Sequence, residues 1–193
     1  MPTLRALSAL LIAFAAPALA GDDIAHVYGW VEKARLLAGD IELKVKLDSG
    51  ALTSSLHATD IERFERDGEK WVRFTVDLDT DDDGDIDVEE RIERRLYRNV
   101  RIRGAGGVSR RPVVLMRMCL GSVIHEEQFS LEDRSDMLYP ALLGRRTIQH
   151  LGLLDVTRTF MNEPDCDADA EIRLHGDEAP DPDIGDSSGE EED

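Results

Sequence analysis

The sequence predicts an all-β protein, a barrel or a sandwich, and three observations carry that expectation. Apolar and polar residues alternate with period two in several short runs, as in strands with one buried face. Gly- and Asp-containing turn signals separate the runs at short intervals. Helix-like stretches are few and brief, residues 59–66 and 145–151.

Taken in order, residues 26–31 (HVYGWV) open the domain. Ile41–Leu47 (IELKVKL) follows the turn signal Gly39-Asp40 and is the cleanest alternation in the chain. Residues 59–66 (TDIERFER) read as a short helix with Thr59 as its cap. Asp67-Gly68 then leads into residues 71–78 (WVRFTVDL), which alternate again. Residues 88–96 and 100–103 follow, and the glycine-rich turn 104–107 leads to 111–120. Gly121-Ser122 separates that strand from 123–131. Arg145–Leu151, after Leu142-Leu143-Gly144, is the second expected helix.

Charge divides the chain of 193 residues into unequal parts. Its 41 acids outnumber its 23 Lys and Arg, for a net −18. Residues 162–193 hold 14 acids and one base, Arg173, and residues 79–90 hold eight acids and no base, which leaves the rest at +3. A balance this acidic argues against a general nucleic-acid binder and against docking on anionic lipid. Aromatic residues at 5% are too scarce for a base-stacking platform.

Residues 1–20 (MPTLRALSALLIAFAAPALA) have the form of an export signal: Arg5 in the n-region, a short apolar run, and Ala18-Leu19-Ala20 before Gly21. The apolar run is too short to span a bilayer. The expected mature protein is therefore exported to the periplasm or beyond, with cleavage near Ala20. In such a compartment Cys119 and Cys166 can form a disulfide, the alternative being two unpaired thiols.

The best candidate for chemistry ends the cleanest strand. Leu47 delivers Asp48-Ser49-Gly50-Ala51 into a tight turn. Glycine lets the backbone turn sharply, and the carboxylate is presented at a rigid strand end. Two such carboxylates about 3 Å apart share one proton, because like charges that close cannot both ionise, so one acts as base and the other as acid. The bland reading of the same residues is a turn after a strand.

The stretch 45–58 (VKLDSGALTSSLHA) resembles a bacterial branch of the retropepsin-like aspartic peptidases, commonly labelled "ATP-dependent zinc protease". A second block, 131–145 (LEDRSDMLYPALLGR), agrees with the apolar-apolar-Gly-Arg segment that precedes a short helix in that family. The resemblance implies a closed retropepsin-like barrel with one or two short helices, spanning residues 21–161, and Asp48 as the catalytic aspartate. Ser49 takes the subunit-locking role, Gly50 and Ala51 form the turn, and Gly144 and Arg145 are supporting structure. Only one such motif occurs, so the second carboxylate must come from a homodimer. The implied activity is endopeptidase cleavage of a peptide or protein substrate. The same barrel as a non-catalytic binding or calcium-responsive interaction module is the alternative. The zinc and ATP of the label find no support in the motifs. His125-Glu126-Glu127-Gln128-Phe129 has Phe where H-E-x-x-H needs its second His, and no Walker motif occurs. His57 reads as a packed or hydrogen-bonded histidine.

Residues 79–90 (DTDDDGDIDVEE) match a calcium loop: Asp79, Asp81, Asp83, Asp85, Asp87 and Glu90 supply oxygens, and Gly84 makes the sharp turn. The flanks are strands, so the expectation is a Ca²⁺ loop at a hairpin tip, against a merely solvated acidic insertion. Residues 162–193, acidic and interrupted by Pro164, Pro180 and Pro182, read as a disordered tail, with docking over the arginines of residues 91–103 as the functional alternative.

Overall fold

Alternation along β1 (Val27–Leu36) and β2 (Ile41–Leu47) buries Ala34, Leu36, Ile41, Leu43, Val45 and Leu47 on one side, which seeds a barrel. The computed structural model describes residues 26–80, 84–104, 107–174 and 191–192, without the side chains of 103, 104, 107, 191 and 192. The expected signal segment and residues 175–190 lie outside the described residues. The further strands are β3 (Ser54–His57), β4 (Thr59–Arg66), β5 (Glu69–Leu78), β6 (Val88–Arg95), β7 (Arg98–Gly104), β8 (Gly107–Leu120) and β9 (Val123–Glu132). They are followed by β10 (Ala141–Leu143), helix α1 (Arg145–Leu151), β11 (Leu153–Thr159), β12 (Glu171–Arg173) and β13 (Glu191–Glu192).

Hydrogen bonding runs β1-β2-β10-β3-β9-β8 and returns to β1 through Arg35 opposite Cys119 and Leu36 opposite Met118. This closes a six-stranded mixed barrel, and the all-β expectation holds in its barrel form. The second sheet, β4-β5-β6, packs on it. Alternate residues of β5, Val72, Phe74, Val76 and Leu78, are buried in the same core cluster as Leu56, Met116 and Leu131 of the barrel.

The helix expected over residues 59–66 is instead β4. The segment is rich in Glu and Arg, which suit helices, but Asp67 (φ 54°) and Gly68 (φ 78°) form a tight hairpin that pairs Phe64 with Trp71. Turn chemistry overrides local propensity here.

The expected tail begins later than residue 162. Asn162 bonds Glu32 and Val27, Cys166 is bridged to Cys119 with Cα atoms 6.0 Å apart, and β12 runs parallel to β9. The first part of that segment is thus corrected from disordered tail to part of the body. Far along the chain, Glu191 stands opposite Arg101 and Glu192 opposite Val100 on β7.

Candidate active site

β2 ends against β10, and that junction shapes the Asp48 turn. Asp48 N–H donates to Leu143 O (2.8 Å), and Ala51 N–H donates back to Asp48 O (3.1 Å). The carboxylate is fixed from both sides: Oδ1 accepts from Gly50 N–H (2.9 Å), and Oδ2 accepts from Lys46 Nζ (3.0 Å). Its burial would push the carboxyl's pKa up, but Lys46 and the Gly50 and Ala51 backbone outweigh that and hold it below the usual carboxylate range. A Cβ on Gly50 would stand 3.0 Å from Asp48 Oδ1, so glycine leaves this space to the carboxylate. Ser49 and Gly50 are exposed beside it.

The second motif block clamps this turn. Arg145 N–H donates to Ala51 O (2.9 Å), Arg145 Nη1 to Ser49 O (2.9 Å), and Arg146 N–H to Leu52 O (3.2 Å). Gly144 is required by closeness: a Cβ there would lie 2.5 Å from Leu52 O. The structure therefore brings Asp48, Ser49, Gly50, Ala51, Gly144 and Arg145 into one assembly.

Below it runs a buried polar chain that sequence reasoning missed. Gly144 N–H donates to Ser54 Oγ (3.1 Å), Ser54 Oγ meets Thr147 Oγ1 (2.8 Å), and Thr147 Oγ1 donates to Glu127 Oε2 (3.2 Å). One direction of donation satisfies every member: amide to serine, serine to threonine, threonine to carboxylate. The available signal was Ser54 inside the motif and a glutamate at an inward position of β9.

His57 is buried, and its Nδ1 accepts from Arg134 N–H (2.9 Å) while Nε2 lies 3.4 Å from Asp77 Oδ1. It joins β3 to β5 and the 133–140 segment. His125 is buried without a partner for either ring nitrogen among the described residues. In the acidic loop, Asp81 and Asp83 lie outside the described residues. Asp79 Oδ2 accepts from Gly84 N–H (2.8 Å), and Asp87 Oδ2 accepts from Thr80 N–H (2.9 Å). Among the described residues no three His, Cys, Asp or Glu side chains stand together as a metal-binding group. Two adjoining cavities of about 240 and 220 Å³ share Leu78, Asp79, Leu138 and Pro140 and are not lined by Asp48.

Residues 27–165 match the family described as RimB-like, "Retropepsin-like aspartic endopeptidase RimB". The chain belongs to the RimB-like family. Its similarity to the crystal structure of Lpg0085, a protein of unknown function (DUF785) from Legionella pneumophila subsp. pneumophila str. Philadelphia 1, agrees. That match has a TM-score of 0.62 at 35% identity and covers 71% of this chain and 98% of the other. Curated relatives of this RimB-like chain include a "Probable alpha-L-glutamate ligase" of Shewanella halifaxensis (strain HAW-EB4), 32% identical over 135 residues, 69% of this chain and 29% of that protein. A protein of the same name from Shewanella pealeana (strain ATCC 700345 / ANG-SQ1) is 34% identical over 119 residues, 61% of this chain and 25% of that protein. The RimB-like chain thus spans less than a third of the length of these curated relatives.

Proposed function

We propose that this protein is an exported aspartic endopeptidase that works as a homodimer, with one Asp48 from each copy. One observation carries the reading: Asp48 is held ionised and oriented at a strand end by a turn that Arg145 and Gly144 clamp. In the dimer, the ionised carboxylate takes a proton from water as the water oxygen bonds to the peptide carbonyl carbon. The protonated carboxyl protonates the amide nitrogen as the C–N bond breaks. Charge is conserved and the pair ends with its protonation exchanged.

The relatives named as glutamate ligases support a glutamate-rich or otherwise acidic peptide as substrate. Lys46 and Arg145 beside the Asp48 turn, and Arg134 within electrostatic reach of Asp48, give that region the complementary sign. Calcium at loop 79–90 is part of the proposal, supported by the residue pattern and by Gly84 N–H donating to Asp79. The test is cleavage of a peptide library at mildly acid pH by wild type and Asp48→Asn, each with and without CaCl₂. The expected result is cleavage by wild type alone and a higher thermal midpoint with calcium. Cleavage that survives Asp48→Asn overturns the mechanism, whereas a strict monomer that cleaves nothing favours the binding module. An unchanged thermal midpoint removes calcium from the proposal.

A further inference from the structure

Strand geometry places Lys46 and Asp48 together. Residues two apart on a strand point to the same side, and Leu43, Val45 and Leu47 take the inner side of β2. Lys46 and Asp48 therefore emerge side by side and form an ion pair of 3.0 Å, with the two side chains 38% and 26% exposed. Among the described residues no other charged side chain bonds this carboxylate. β10 contributes only the Leu143 carbonyl to Asp48 N–H, and α1 contributes Arg145, whose Nη1 is directed to Ser49 O. Arg134, in the segment after β9, gives its Nε to Tyr139 O and acts on Asp48 only through space.

This matters for a paired-aspartate site. Two carboxylates brought close repel, and their mutual repulsion makes the pair hold a proton. Here each carboxylate would arrive with its own ammonium, so two Asp48 and two Lys46 sum to zero charge. The repulsion that retains the shared proton is offset from within each chain.

We infer that Lys46 is a positioning residue that sets the pH at which the Asp48 pair takes up its working proton. It bonds the Asp48 carboxylate and acts on the reaction through that group, not on the substrate. It orients Oδ2 and, by its charge, moves the singly protonated form of the pair to lower pH. Removing the charge moves that form, and with it the active range, to higher pH. The inference rests on the peptidase reading of Asp48 for its consequence in turnover, but the ion pair has a readout of its own.

The experiment uses the full chain as wild type, Lys46→Met and Lys46→Arg. Asp48 protonation is followed by carboxyl ¹³C NMR across pH, and kcat/KM on a cleaved peptide is measured over the same range. In Lys46→Met both the Asp48 titration midpoint and the kcat/KM profile move to higher pH. Lys46→Arg keeps both near wild type. An Asp48 midpoint unchanged in Lys46→Met overturns the inference. Cleavage with a shifted midpoint but an unmoved rate profile also overturns it, and leaves the peptidase reading standing. A shifted midpoint in a protein that cleaves nothing supports the hold of Lys46 on Asp48 and overturns the peptidase reading instead.

Discussion

At the scale of single residues, two buried or half-buried ionisable groups both weaken the fold as acid is added. Asp48 is held ionised by Lys46 and backbone amides, so its contribution to stability is present above the ordinary carboxylate range and is lost as pH falls through its lowered value. His125 is the larger effect. Burial first, and then the positive charge of Arg173, lower its pKa from 6.5 to about 4, with Glu171 opposing. The unfolded chain therefore binds the imidazole proton at a higher pH than the folded one. Stability attached to neutral His125 is complete above about 6.5 and drains away as pH falls toward 4, a loss on the order of 3 kcal/mol. Denaturant titrations at a series of pH values check this: wild type weakens steadily across that window, and His125→Leu flattens the slope there. A wild type equally stable at both ends of the window would contradict it. An enzyme active in mild acid would thus work where its own fold is softening.

At the scale of elements, the site depends on how closely α1 approaches the Asp48 turn. A methyl at Gly144 meets the Leu52 carbonyl at 2.5 Å and Thr53 backbone carbon at 2.7 Å, neither of which can yield as a flexible side chain would. Gly144→Ala is expected to cost about 1–3 kcal/mol, the range for overpacking, and to lower the thermal midpoint accordingly. It should also reduce any Asp48-dependent activity, because the Arg145 clamp moves with α1. The elements differ in how far they could be read from sequence. β2 and α1 were legible to the residue, one from strict alternation and the other from the Leu142-Leu143-Gly144 lead-in. β3 was not, because Ser54, Ser55, Leu56 and His57 are all buried and alternation vanishes. β10 has only three residues and exists through its neighbours β2 and β3. The same contrast holds in the site. The Asp48 turn, Gly144 and Arg145 lie in contiguous motifs. Ser54, Thr147 and Glu127 meet only when β3, β9 and α1 assemble, Ser54 and Thr147 being 93 positions apart.

At the scale of the whole molecule, the uneven charge of the sequence acquires a spatial meaning. Residues 94–125 contain eight arginines and no acid, while the C-terminal residues are strongly acidic. The backbone register sets Glu191 and Glu192 opposite Arg101 and Val100, which places a piece of the acidic C-terminal sequence along β7 in the arginine-rich stretch. The Cys119–Cys166 bridge, spanning 47 positions, fastens the segment after β11 to the barrel wall. What the single chain does not contain is a second Asp48. The proposed cleavage therefore needs two copies meeting at that residue, and subunit mixing tests this most directly. Wild type is combined with increasing Asp48→Asn under conditions where dimers exchange, and peptide cleavage is measured at fixed total protein. If both Asp48 residues of a dimer are needed, activity falls with the square of the wild-type fraction. A linear fall, with each wild-type chain cleaving alone, would contradict the paired-aspartate account.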